Sequence, residues 1–365
     1  MTGPVKAGTV KTGTVKCVVW DIDNTLLSGV YLESGQQLPP VAPGMAAVLS
    51  ELTARGIVHA IASRNPLAAA THAAQVTGCD FVAAECGWGR KSDAVARIAA
   101  ELNIAADALA FVDDDPYERA EVTFALPPVL VLSPEDMADA VGWPEFSPSV
   151  VTPEARRRAA MYAQRRRRLA AERSFGGSRE EFLRSCGTRV TIAAAAAADV
   201  PRLHELSERT SQFNSAGAGL TEEEFRSLIS SPASGVLTVR LRDTFGDDGM
   251  VGACVTEHGV TEHGVTEHGA GGWTVRLLMM SCRAMGRGVI EALLAWLTRS
   301  AAQEGARVLR VPCAVNDRNV PLRLALAAAG FRAADGGEAG RAVFRLDLGG
   351  RPPELPDWVS GAGAP

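Results

Sequence analysis

Asp21 and Asp23, two residues apart and followed by Thr25, are the residues of this chain best suited to chemistry. Two carboxylates at that spacing, on a loop whose backbone can turn inward, suit a site where one attacks phosphorus and the other handles protons. Mg²⁺ would screen the charge between them. Three later pieces could complete it. Ser63, in IASRN, offers a hydroxyl to a phosphoryl oxygen. Lys91, opening a helix after GWGR, offers a fixed cation for the nucleophile and the developing charge. Asp113 and Asp114, in FVDDDP, supply further oxygens for Mg²⁺. Each piece has a plainer reading: the acidic loop as a cap or solvated turn, Ser63 as a cap, Lys91 as a surface charge, 113–115 before Pro116 as a helix start. All four in chain order, each at a strand end or helix start, favour one phosphate site.

A second constellation lies in LLMMSCRAMGRGVIEALL. Here a strand delivers Cys282 and Arg283 into a turn with Gly286 and Gly288 that opens a helix. A neighbouring cation and a helix N-terminus both lower a thiol pKa, although a free Cys is as often a small buried apolar group. Gln212 and Asn214, upstream, read equally as site-lining amides or as groups that hold a helix end. Three tandem copies of VTEHG, 255–269, offer three histidines for a metal, but exact duplication reads better as an expanded hairpin loop.

The elements that must carry these residues alternate. Apolar runs at 17–20, 57–62, 81–84, 109–112 and 129–132 read as buried strands, with amphipathic helices at 44–55, 67–77 and 91–102 between them. That alternation builds a parallel sheet with right-handed crossovers and its site at the strand C-termini. The Pro- and Gly-rich stretch 29–43 reads as a loop over the site mouth. From residue 187 a second α/β pattern begins. It has strands at 189–192, 236–241, 251–256, 273–280, 307–313 and 342–348, and helices at 199–210, 289–303 and 320–329. Thr221 and Glu224 form a capping box. Between the two patterns, 154–172 carries Arg156–Arg158 and Arg165–Arg168. Such a run is usually a solvated helix face, with a phosphate- or partner-docking patch as the alternative. The expected organisation is a flexible tail at 1–15, a first domain at 16–143, a linker with a basic helix at 144–186, a second domain at 187–348 and a disordered tail at 349–365.

The whole chain constrains what such sites could serve. With 365 residues, 47% apolar and 22% charged, it can build two ordinary globular cores. A formal charge of −5 and a pI near 5.8 argue against nucleic-acid binding. No apolar run spans a bilayer and no secretory h-region is seen, so a cytoplasmic protein without membrane contact is expected. Seven cysteines, at 17, 79, 86, 186, 254, 282 and 313, without a CxxC pair, fit reduced thiols.

The phosphate-site pieces resemble the motifs of haloacid dehalogenase (HAD) type phosphatases over about residues 16–132. The R-x-x-G-x-G turn resembles the pyrophosphate and pantetheine loop of the GNAT acyltransferases. More narrowly, DIDNTLLSGV, SRN, DDDPYERAEV, MYAQRRRR, ERTSQFN, FGDDGMVG and MSCRAMGRGVIE are similar to the FkbH-like proteins of polyketide pathways. That resemblance implies a HAD-like Rossmannoid parallel-sheet domain followed by a GNAT-like mixed α/β domain. It implies a glyceryltransferase/phosphatase that converts 1,3-bisphosphoglycerate, a small phosphorylated three-carbon substrate, to a glyceryl thioester on acyl carrier protein. By carry-over, Asp21 is the nucleophile and Asp23 the general acid/base, with Thr25, Ser63 and Lys91 on phosphate. Mg²⁺ sits on Asp21, the Asp23 carbonyl and Asp113 or Asp114. Cys282 carries the acyl group, and Arg283, Gly286, Arg287 and Gly288 receive the phosphopantetheine arm. The chain departs from the family at Leu27 (Trp expected), Ser28 (Gly), Arg64 (Lys), the loop 31–43 and the residues after Asn214. These changes are expected to line the site mouth and alter specificity. The competing readings are a plain phosphatase with a non-catalytic second domain, and a carrier-docking module with degenerate chemistry.

Overall fold

The structure, a computed structural model, describes residues 15–35, 38–210, 212–261, 264–265, 272–334, 340–350 and 352–361. The chain divides into two compact units, Met1–Ala163 and Gln164–Pro365. Both are α/β.

The first unit is built on β1 (Cys17–Trp20), α1 (Met45–Ala54), β2 (Val58–Ser63), α2 (Leu67–Thr77), β3 (Phe81–Cys86), α3 (Lys91–Leu102), β4 (Leu109–Val112), α4 (Pro116–Ala125), β5 (Leu130–Leu132), α5 (Met137–Ala140) and α6 (Pro153–Arg156). Its five strands are parallel, in the order β3-β2-β1-β4-β5. Every residue of β1 is buried, because both sheet faces are covered and successive side chains alternate between them. Val18 and Trp20 join one core with Leu49, Leu52, Ala69 and Ala73, whereas Cys17 and Val19 join the other with Val95, Ile98 and Val122. The chain runs outward from β1 through β2 to β3 and then crosses back to place β4 on the other side of β1. That reversal opens a crevice above β1 and β4, where open α/β sheets hold ligands.

Helix α7 (Arg158–Ser174) contains the boundary between the units. The expectation of a solvated basic face fails at two positions. Arg158 and Arg168 are buried, and Arg158 donates to the carbonyl of Gly56. Gly56, at φ 72°, cannot take a side chain: a Cβ would lie 2.7 Å from that of Ala155.

The second unit continues with α8 (Arg179–Ser185), β6 (Thr188–Ala194), α9 (Val200–Arg209), α10 (Glu222–Ser230), β7 (Ser234–Asp243), β8 (Gly246–Thr261), β9 (Gly264–Val265), β10 (Gly272–Met280), α11 (Val289–Gln303), β11 (Val308–Ala314), α12 (Val320–Ala328), β12 (Arg332–Ala334), β13 (Arg341–Asp347) and β14 (Val359–Ser360). The sheet runs β12-β13-β11-β10-β8-β7-β6-β14, with β9 hairpinned onto β8. It is mixed: β10 and β11 are parallel, as are β6 and β14, and the remaining pairs are antiparallel. Leu277 and Met279 face the core under α9 and α10, and Leu278 and Met280 face the core under α11 and α12. The Thr221 and Glu224 capping box opens α10 as its spacing predicts.

Three boundaries differ from the sequence expectation. Val15 is no tail: it is wholly buried and donates to the carbonyl of Glu145, while 1–14 lie outside the described residues. The C-terminal stretch is not all disordered, since Val359–Ser360 pair with Thr188 and Arg189. Strand β8 continues through the first VTEHG copy, because His258 stacks on Trp273 at 4.1 Å and 10° and so acquires a strand partner. Burial lowers the pKa of that histidine; His263 and His268 lie outside the described residues.

Candidate active site

In the first unit, β1 leads directly into Asp21, whose N–H donates to Val112 O at 2.9 Å and so locks it beside the end of β4. The chain then makes a tight turn in which the amides of Thr25, Leu26 and Leu27 all point to Ile22 O, with Asn24 at φ 49°. This turn leaves Asp23 half-buried and Thr25 wholly buried. Ser63 closes β2, Asp113 follows β4, and Lys91 enters as the first residue of α3.

Lys91 draws the set together. Its Nζ donates to Asp21 Oδ1, to Ala62 O at 2.8 Å and to Asp113 Oδ2 at 3.0 Å. Burial pushes the lysine pKa down, but Asp21 and Asp113 outweigh that and leave it raised, so it stays a cation. The carboxyl pKa values of Asp21, Asp113 and Asp114 are all raised, first by burial, with neighbouring carboxylates adding to it. One lysine therefore faces more negative charge than it can balance.

The donor set fits a hard divalent cation. Carboxylate oxygens of Asp21, Asp113 and Asp114 lie within 4.8 Å of one another, and oxygen-rich crowding of this kind is what Mg²⁺ requires. The Asp23 carboxylate is outside that group, so its part in metal binding would fall to the carbonyl. When bound, the ion would screen the nucleophile from the phosphoryl oxygens.

The Asp23 carboxylate is aimed. Tyr31 N–H donates to its Oδ1 and Asn65 Nδ2 to its Oδ2, both at 2.9 Å; Asn65 also donates to Ser63 Oγ at 3.1 Å. Asn65 was not among the sequence-derived candidates, although its place two residues past Ser63 was the available signal. Thr25 Oγ1 accepts from Asp114 N–H at 3.1 Å, so it ties the two acidic loops together. The acidic run 113–115 divides between two places. Asp115 caps α4 by accepting from Tyr117 N–H at 2.8 Å, while Asp113 and Asp114 face the site. Arg119 fixes both of their carbonyls at 2.7 Å.

The positions that depart from the resemblance do not all reach the mouth. Leu27 is wholly buried in the core with Trp20 and Leu49, and Ser28 N–H is used by Pro40 O at 2.9 Å. Arg64 pairs with the buried Glu118 at 2.7 Å.

In the second unit, Cys282 is half-buried at the start of a single 3₁₀ turn, Cys282–Ala284, and α11 begins only at Val289. The expected helix N-terminus is therefore not next to the thiol. Arg287 is not free to receive a ligand: it is buried and paired with Asp243 at 2.7 Å and Asp248 at 2.5 Å. Arg283 is buried too, with Nε 3.4 Å from Ser281 Oγ. Gly286 and Gly288 hold positive φ, 69° and 83°. Asn214 holds the chain: its Oδ1 accepts from Ala216 and Gly217 amides at 3.0 and 3.1 Å. Gln212 is half-buried nearby in sequence.

No protein-family model and no curated protein matches the sequence. Solved structures do resemble parts of it. The N-terminal part of a Bacteroides fragilis protein, containing a phosphatase domain complexed with Mg, is 26% identical over 36% of this chain and 40% of its own, with a TM-score of 0.32. The GNAT domain of S. lividans PAT is 16% identical over 43% of this chain and 89% of its own, with a TM-score of 0.35. The cobalt-bound deoxy-D-mannose-octulosonate 8-phosphate phosphatase of Haemophilus influenzae is 17% identical over 32% and 68%, with a TM-score of 0.28. Among the described residues, no helix is long and apolar enough to cross a membrane.

Proposed function

We propose that this chain is a bifunctional enzyme, a Mg²⁺-dependent phosphatase joined to an acyltransferase. The observation that carries the reading is Lys91 held between Asp21 and Asp113, with Ser63 and an oriented Asp23 around them. An Asp21 oxygen attacks phosphorus and the bond to the leaving oxygen breaks. Asp23 gives that oxygen a proton, then takes one from the water that attacks the aspartyl phosphate and frees phosphate. Lys91 and the Ser63 hydroxyl hold the phosphoryl oxygens.

The finer reading rests on the resemblance. The substrate is 1,3-bisphosphoglycerate. The Cys282 thiolate attacks its acyl carbon, the C–O bond to phosphate breaks, and the glyceryl thioester passes to the pantetheine thiol of an acyl carrier protein. A plain phosphatase is the rival, favoured by the distance in sequence between Cys282 and the start of α11. Incubation with 1,3-bisphosphoglycerate and Mg²⁺ followed by intact mass separates them. A glyceryl adduct that disappears in Cys282→Ala is the expected result. Phosphate release without any adduct leaves the plain phosphatase, and carrier binding without turnover leaves a docking module. Asp21→Asn should reduce phosphate release by about 10³-fold or more, and a variant that keeps full activity would sink the nucleophile assignment.

A further inference from the structure

Strands β10 and β11 are parallel neighbours that pair only at Trp273 with Leu309 and Thr274 with Arg310. Beyond these residues they diverge, and two facing backbone edges are left to be satisfied. An extended arm carrying amides, such as the pantetheine of coenzyme A, would enter such a gap as an added strand. Its pyrophosphate would seek bare helix amides, and α11, capped by Gly288 without any side-chain hydrogen bond, has them.

In this chain both places are taken by the chain itself. Residues 213–217 lie in the gap. Ser215 N–H donates to Leu278 O at 3.0 Å, its Oγ accepts from Leu278 N–H at 2.9 Å, and its carbonyl accepts from Ala314 N–H at 2.8 Å. Phe213 O accepts from Met280 N–H at 2.9 Å, and Asn214 forms an antiparallel bridge with Met279. Ser215 is wholly buried, and the two residues before it nearly so. At the other place, Pro356, Trp358 and Val359 stand over Gly288. A Cβ there would lie 2.7 Å from Val359 Cγ2 and 2.8 Å from Trp358 Nε1. Strand β14 and an Arg184–Asp357 pair at 2.8 Å hold that segment down.

We propose that the second unit excludes coenzyme A thioesters because residues 213–217 and 356–359 occupy both handholds that such a ligand needs, with Ser215 as the residue that sets the exclusion. Ser215 touches no reacting atom and acts by closing the gap, so a carrier protein's pantetheine, which bears the same amides, would reach Cys282 outside this gap. Its importance for Cys282 rests on the acyltransferase reading above.

The test uses the full chain. Titration calorimetry with coenzyme A and with acetyl-coenzyme A should give no saturable heat up to about 1 mM, and acetyl-coenzyme A should leave no acetyl adduct on Cys282. Hydrogen exchange at Leu278, Met280 and Ala314 should be slow and unchanged by the nucleotide. Saturable binding that alters exchange at these three amides would overturn the proposal. Ser215→Ala, which leaves the Leu278 amide without its acceptor, should speed exchange there by about 10-fold or more while Asp21-dependent phosphate release persists. Unaltered exchange in that variant would also overturn it. If 1,3-bisphosphoglycerate gives no Cys282 adduct either, the acyltransferase reading falls and the exclusion of coenzyme A stands.

Discussion

At Asp21, Asp113 and Asp114 the cost of burying charge meets the need for a cation. Their carboxyl pKa values are raised above the usual range, first by burial. A raised folded-state pKa means that the folded chain holds these protons more tightly than the unfolded one. The resulting penalty is complete above the raised values and is relieved as pH falls through them. Mg²⁺ removes the same penalty and competes with the same protons. It should therefore raise the unfolding temperature more at about pH 7.5 than at about pH 5, and an equal or reversed shift would contradict the charge balance described. Asn65 is a positioning residue for the Asp23 carboxylate. Asn65→Ala should lower kcat by about 10-fold with KM little changed, and should shift the pH–rate profile through the reoriented acid/base; a change confined to KM would argue against this role. The sequence made Asp21, Asp23, Ser63, Lys91 and Asp113 legible because their types and order are unusual. Asn65 was not, because one amide in a loop has many uses.

At the level of elements, strand and helix positions were readable wherever the pattern was local. The span of α3 agrees with its amphipathic stripe, and β4 with its apolar run. The turn from β10 into α11 was not. Gly286 and Gly288 were read as a ligand loop, yet Arg287 between them is committed to Asp243 and Asp248 on the β7–β8 hairpin. Arg287→Ala would strand two buried carboxylates and should cost about 3–5 kcal/mol. The measurement is the denaturation midpoint of the second unit, with phosphate release retained below it. A loss of carrier binding at unchanged stability would instead restore the ligand role. Likewise Leu27, a departure that was expected to tune specificity, is core. Its neighbours across the fold, not its neighbours in sequence, determine that.

For the whole molecule, seven cysteines without pairing geometry in the sequence are seven free thiols. Burial pushes up the pKa of Cys17, Cys79, Cys86, Cys186, Cys254 and Cys313. Cys282 is half-buried on a turn next to Arg283, and it should be the first residue alkylated by iodoacetamide, as peptide mapping of a partly labelled sample would reveal; earlier labelling of Cys79 or Cys86 would count against it. The sequence by itself determined the α/β class, the two-part organisation and the order of the phosphate-site residues, because periodicity and motif spacing are local properties of a chain. Only the tertiary structure decided that Asp115 caps while Asp113 and Asp114 face Lys91, that Asn65 aims Asp23, and that residues 213–217 fill the gap beside β10. Those outcomes depend on which backbone edges and buried charges meet across tens of residues, and spacing along a chain carries no record of such meetings.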